Sequence, residues 1–260
     1  MMNLNYLYYL YWVEIMAKEI KFPITSFRNF HQVVNTPIRT KSDLIKVLLL
    51  SMKFILLKEE FKDEDKGMVS VVIDKISRIY FICKEPNHLP DKYYSFAFPF
   101  FLESINNNEW IIKCKTTQEP IDSELIDSLL SLLDNGWFSD CNDNLSTLDS
   151  FACDYLDAIE DYYIIRDPIS YDQGFHEQVN WSVIKTLLTF EPSYVRYDYD
   201  EKHENPNHPL NHLDIHYTPS GTFKLGFDSS LNIKDRLDFK KFQDILENGK
   251  YYQDRCYNLK

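Results

Sequence analysis

The spacing of apolar positions changes period several times along the chain, and each change marks an element. Leu44, Val47, Leu48, Met52, Ile55 and Leu56 recur at helical spacing, and Thr40 or Ser42 stands where a cap is needed. This predicts a helix over 41–60. The apolar and aromatic run over 3–20 reads as an earlier helix. MVSVVID (68–74) and RIYFICK (78–84) are rich in β-branched and aromatic residues and predict a hairpin. YYSFAF (93–98) and EWIIKCK (109–115) are further strands. IDSELIDSLLSLLDN (121–135) returns to the helical period, with Asp122 as cap and Gly136 beyond its end. Helices are also predicted over 148–162, 177–189 and 235–247. In the last third, SYVRYDYD (193–200), HLDIHY (212–217) and TFKLGF (222–227) alternate between polar and apolar residues and read as strands. An Asn-, Pro- and His-rich loop (201–211) joins the first two, and Thr218-Pro219-Ser220-Gly221 turns the chain into the third.

The order predicts an α+β fold of antiparallel β-meanders with helices packed on one side. A soft boundary near 115–120 separates an N-terminal α/β part (1–115) from an acidic helical segment, a C-terminal meander and a closing helix (116–260). Both parts are compatible with one continuous domain. At 260 residues, 44% hydrophobic and 26% charged, the chain can bury a core without staples.

Charge changes this picture more than composition does. Residues 1–115 carry 16 Lys/Arg against 13 Asp/Glu, whereas 116–200 carry 3 against 18, within an overall net charge of −12. Such a balance disfavours nucleic acid at long range but leaves room for a local basic groove in the first part. The acidic stretch 119–161 is a solvated surface or a docking face for a partner protein. The five cysteines are dispersed and form no C-x-x-C, which fits a reducing cytoplasm. No basic n-region precedes the apolar N-terminal run, and Lys46 and Lys53 interrupt the run 45–57, so no membrane span is expected.

Common signatures are missing. There are six glycines and no G-x-G-x-x-G, P-loop, G-x-S-x-G or H-E-x-x-H. Asp238-Phe239-Lys240 has the letters of a restriction-nuclease strand but falls in a predicted helix.

Candidate chemistry concentrates in RYDYDEKHENPNHPLNHLDIHY (196–217), which holds four of the seven histidines. Strand alternation puts Arg196, Asp198 and Asp200 on one face, and His212, Asp214 and His216 on one face of the next strand. If the strands pair antiparallel with their apolar sides in the core, these polar groups share the outer face. One register sets Asp200 against His212, Asp198 against Asp214, and Arg196 against His216. Opposed aspartates call for a cation: Arg196, a protonated histidine or a metal. Three readings follow: a structural polar face, an acid–base site with Arg196 holding an anion, and a divalent-cation site. His212 and His216 stand about 13 Å apart on a straight strand, so they do not clamp one ion together. His208-Pro209 fixes geometry inside the loop, and His203 is expected in solvent.

RYDYD, then HPLNHLDIHY, then a strand and a helix like LDFKKFQDIL, resembles a bacterial domain-of-unknown-function family over about residues 190–250. Arg196, Asp198, Asp200, His208, Pro209 and His212 fall on that family's motif, while Asp214 stands where a second histidine is expected. The resemblance implies a cytoplasmic phage-defence or toxin-like module and carries no firm activity. The resulting expectation is a nuclease-like, phosphodiester-directed hydrolase using Arg196, Asp198, Asp200, His208, His212, Asp214 and His216, with a divalent cation as an open option. The alternatives are a non-catalytic interaction subunit and a metal or small-molecule sensor.

Overall fold

A computed structural model describes residues 18–26, 29–57, 67–74, 77–83, 92–106, 109–138, 153, 155–156, 173–206, 208–216, 221–226 and 236–247. The frame is a seven-stranded antiparallel sheet. Its order is β1 (Lys18–Pro23), β2 (Gly67–Ile73), β3 (Arg78–Cys83), β4 (Lys92–Ala97), β8 (Val195–Tyr199), β9 (Asn211–His216) and β10 (Thr222–Gly226). Between β4 and β8 the chain leaves to form a small sheet from β5 (Phe101–Asn106), β6 (Glu109–Lys113) and β7 (Pro120–Ile121). One sheet therefore draws strands from both sides of residues 115–120.

Alternation along the central strands divides the core. Val69, Val71, Ile79, Phe81, Tyr94 and Phe96 face a large apolar cluster. Four helices bury their stripes there: α1 (Phe30–Asn35), α2 (Lys41–Leu57), α3 (Ser123–Asp134) and α4 (Gln173–Thr189). Val72, Tyr80 and Tyr93 face the opposite way and meet Tyr197, Leu213, Leu237 and Phe242 in a smaller cluster under α5 (Phe239–Leu246). The fold is the expected α+β meander with helices mostly on one side, and α5 covers part of the other.

Local signals account for the helix starts. Thr40 Oγ1 accepts from the Asp43 amide at 3.1 Å while the Asp43 carboxylate accepts from the Thr40 amide at 2.9 Å, a reciprocal cap for α2. Asp122 accepts from Leu125 N at 2.7 Å at the start of α3, and Gly136 takes φ 85° just past its end. The closing helix begins later than the pattern suggests. Asp238 is its cap, accepting from Lys240 N and Lys241 N, so Asp238-Phe239-Lys240 is a helix start.

Several expectations need correction. The helix predicted over 3–20 runs into strand β1: Lys18, Glu19 and Ile20 pair with Ile73, Val72 and Val71. There the alternation of KEIKFP, with Ile20 and Phe22 buried, prevails over the apolar run before it. The preceding residues, 1–17, lie outside the described residues. Helix α1 and strands β5 and β7 have no counterpart in the pattern, being short or carrying polar residues on both faces. The helix predicted over 148–162 lies outside the described residues apart from positions 153, 155 and 156, which are helical. Of the acidic stretch 119–161, two described carboxylates are engaged with α2: Asp127 with the buried Lys53, and Asp134 with Lys46 at 3.0 Å. Among the described residues no helix is long and apolar enough to cross a membrane.

Candidate functional site

Arg196, Asp198, His212 and Asp214 do share one face across β8 and β9, but in a different register, and Asp198, His212 and Asp214 are buried there rather than turned to solvent. Asp198 pairs with His212, Arg196 with Asp214, and Tyr199 with Asn211. The pairing with Asp200 opposite His212 is corrected by two residues. A two-residue shift keeps every side chain on its face, so the apolar pattern cannot tell the registers apart. Charge can: the observed pairing sets Arg196 against Asp214 and removes the clash of two opposed carboxylates.

The face carries a closed network. Arg196 Nε lies 2.8 Å from Asp198 Oδ2, and Arg196 Nη2 lies 2.6 Å from the same oxygen and 2.5 Å from Asp214 Oδ2. Lys224 reaches across from β10, where it pairs with Asp214, and sets Nζ 2.6 Å from Asp214 Oδ1 and 3.2 Å from His212 Nε2. His212 Nε2 itself stands 3.7 Å from Asp198 Oδ2 and 3.8 Å from Asp214 Oδ1. Asp198, His212 and Asp214 are buried, while the Lys224 side chain is 44% exposed. Lys224 is therefore the member of the network that solvent reaches most readily.

His212 is held by its other nitrogen. Nδ1 lies 2.9 Å from the carbonyl oxygen of Pro209, which can only accept, so Nδ1 carries the proton and Nε2 presents a lone pair to Lys224 and the carboxylates. Burial is the main influence that lowers the His212 pKa, and Lys224 adds to it; the Pro209 carbonyl and the two carboxylates pull the other way and do not offset it. The ring is thus neutral near pH 7. Burial also disfavours the Arg196 charge, but Asp198, Tyr194 and Asp214 outweigh that and raise its pKa. With His212 neutral, two cations balance two carboxylates.

The other predicted residues are placed around this centre. Asp200 follows β8 and turns into the loop, where its carboxylate takes the His203 amide at 3.2 Å and His203 Nδ1 at 2.9 Å. These contacts with His203 lower its pKa against the effect of burial. It does not join the network, and His203 is exposed but engaged with it. His208 packs edge-on against His212, with ring centroids 4.4 Å apart, and its buried Nδ1 has no hydrogen-bond partner among the described residues. His216 lies at the far end of β9, where its ring meets Tyr194 at 4.7 Å; burial, the largest influence, lowers its pKa. As the strand spacing requires, one histidine and not two joins the carboxylates.

Two contributors went unrecognised in the sequence. Lys224 sits in TFKLGF, where alternation alone puts it on the face of Asp214 once β10 is placed beside β9. Gly226 pairs with His212, and a Cβ there would stand 2.5 Å from the Pro209 ring. Glycine is what lets Pro209 come close enough to hold the imidazole.

The apolar side of the same strands anchors the arrangement. Tyr197 is fully buried, its hydroxyl donating to Asn211 Oδ1 at 2.5 Å and accepting from Leu237 N at 2.8 Å. Its ring stacks on Tyr93 at 5.6 Å.

Compared with known protein families, curated proteins and solved structures, the chain matches none.

Proposed function

We propose that the chain is a phosphodiester-directed hydrolase, nuclease-like, in a bacterial defence or toxin-like module, with its reaction centre at His212, Asp198, Asp214 and Lys224. The observation that carries the reading is the orientation of His212. Its proton is fixed on Nδ1 by Pro209, and its basic Nε2 points into a cluster of two carboxylates and two cations. A neutral, buried imidazole with a committed tautomer suits general-base work near neutral pH. In this scheme a water oxygen attacks phosphorus and passes a proton to Nε2, the phosphorus–oxygen bond to the leaving group breaks, and its electron pair departs with that oxygen, which takes up a proton from solvent. The half-exposed Lys224 ammonium meets the negative charge that develops on the phosphoryl oxygens. Arg196 is a positioning residue, since its fork is already spent on Asp198 and Asp214.

A second reading is favoured by one geometric fact. A ligand atom each from Asp198, His212 and Asp214 lie within 4.8 Å of one another. Two carboxylate oxygens and an imidazole nitrogen suit zinc or manganese, and a backbone carbonyl on the remote ring nitrogen is a common outer support for a metal-bound histidine. Asp198, His212 and Asp214 would hold such a cation, which would supply the positive charge that Lys224 supplies in the first reading.

Incubation of purified protein with RNA, DNA and nucleotides, with and without a chelator, tests both. Cleavage that survives the chelator supports the acid–base centre, and cleavage abolished by the chelator and restored by manganese supports the cation centre. The absence of turnover on all substrates under both conditions, with added metal included, contradicts the hydrolase.

A further inference from the structure

A second feature lies at the end of the sheet where β3 and β8 start and β9 ends. A cavity of about 690 Å³ opens there, between the link from α1 to α2, the segment after α4, and His216. Its volume is in the range of cavities that enclose a small organic molecule.

The lining is basic and aromatic. Among the described residues Arg39, Lys41, Arg78 and His216 border it, against one carboxylate, Glu191, and Ile38, Phe190 and Tyr194 supply apolar wall. Lys41 is already engaged, with Nζ 2.5 Å from Leu188 O and 5.2 Å from the centre of the Phe190 ring.

Arg78 is the unusual member. It is only 8% exposed, yet among the described residues no carboxylate pairs with it. Its Nε donates to Ser95 Oγ at 3.1 Å and its Nη2 to Ser193 O at 2.8 Å, and both acceptors are neutral. Ser193 takes φ 47°, a left-handed backbone that serine rarely adopts, at the point where its carbonyl meets the guanidinium. Buried arginines are ordinarily paired with an anion, because an isolated charge is costly to remove from water. Here Arg78 is fixed by neutral hydrogen bonds, borders a cavity, and has no counter-charge among the described residues.

We propose that this cavity binds a small organic oxyanion, a carboxylate or phosphate on an apolar or aromatic body, with the charged group on Arg78 and the body against Phe190 and Tyr194. The ligand supplies the anion that the protein leaves out. The site uses none of the Asp198, His212 and Asp214 side chains, although its wall residue Tyr194 hydrogen-bonds Arg196 of that network. Through Tyr194, whose ring meets His216, it adjoins the strand that carries His212.

Isothermal titration of the full chain tests this with four probes: inorganic phosphate, a nucleoside 5′-monophosphate, the parent nucleoside, and an aromatic carboxylate such as phenylacetate. At least one organic anion is expected to bind at least about tenfold more tightly than the neutral nucleoside and inorganic phosphate, in line with charge-assisted pairing to arginine. The monophosphate and the carboxylate distinguish the two kinds of anion. Arg78→Gln is expected to weaken that binding at least about tenfold while leaving the unliganded melting temperature unchanged or higher. A purely structural arginine gives the opposite, a lowered melting temperature with binding intact. If Arg78→Gln does not fold, Arg39→Ala serves as the second variant, with weaker binding of the same anion expected. No binding by any of the anions, equal binding of the neutral nucleoside, or binding insensitive to both variants overturns the proposal.

Discussion

His212 Nδ1 lies 2.9 Å from the carbonyl oxygen of Pro209, three residues earlier, and this single contact decides which nitrogen faces the carboxylates. The loop between β8 and β9 thereby controls the chemistry of a residue on the strand that follows it. The arrangement depends on Gly226 across the strand pair, because a side chain there collides with the Pro209 ring. Gly226→Ala is expected to cost about 1–3 kcal/mol, the range for forcing an extra methyl into a packed site. Urea unfolding measures the loss, and nitrogen-15 shifts of the imidazole report the tautomer. A variant that keeps both stability and the Nδ1-protonated form contradicts this role for the glycine.

The ion network makes a separate prediction. Asp214 accepts from both Arg196 and Lys224, so Asp214→Ala leaves two cations facing one remaining carboxylate. Breaking a fully buried pair costs about 3–5 kcal/mol, and the exposure of Lys224 places this case lower, at about 2–3 kcal/mol. Lys224→Met is expected to be much milder, since Arg196 still serves both aspartates. Equal losses in the two variants, read by denaturant unfolding, argue against Asp214 as the hub.

Stability should respond to acid in a defined direction. Burial lowers the pKa of both His212 and His216 below the ordinary histidine value of about 6.5. The unfolded chain therefore takes up these protons first. Their contribution is complete above about pH 6.5 and is lost as the pH falls from there through the folded pKa values. Each histidine contributes a slope of at most about 1.4 kcal/mol per pH unit. Unfolding free energies at pH 7.5 and 5.5 should differ less in His212→Gln than in the parent chain. A variant difference that is flat over this window, or that grows in the opposite direction, contradicts the lowered pKa.

Much of this was legible in the letters. The β2–β3 hairpin, α2, α3 and the strand triplet at the C-terminal end follow from period and caps, because burial on one face leaves a repeat that survives in the sequence. The shared face of Arg196, Asp198, His212 and Asp214 follows from alternation in the same way. Their register does not, since sliding β8 by two residues against β9 keeps every apolar residue on its face, and the pairing of Arg196 with Asp214 breaks the tie. Strand alternation carried one step past Tyr199 groups Asp200 with the site, and His208 joins it through the resemblance to the family motif. The loop turns Asp200 toward His203 and brings His208 onto the His212 ring, and neither orientation has a period. Lys224 escaped because one lysine in a strand reads as surface until β10 is known to lie beside β9. The N-terminal misreading has the same root, as a run of apolar residues carried a helix past the point where KEIKFP had begun to alternate.

The buried tyrosine behind the site should matter for stability alone. Tyr197 hydroxyl joins Asn211 on β9 to Leu237 ahead of α5. Tyr197→Phe removes the acceptor of the Leu237 amide and the donor to Asn211 Oδ1 and is expected to cost about 1–3 kcal/mol. Thermal unfolding measures it. A loss below that range means that solvent reaches these groups.

The central claim is that His212 Nε2 accepts a proton in phosphodiester cleavage, or holds the cation that performs it. Its most direct test is the cleavage rate of the parent chain beside that of His212→Gln, on whichever of RNA, DNA or nucleotides the parent chain turns over, with folding verified by circular dichroism. The account predicts a fall of at least about 100-fold in the variant, the lower end of what a positioned proton-transfer group contributes. A folded His212→Gln variant that cleaves at the parent rate contradicts it.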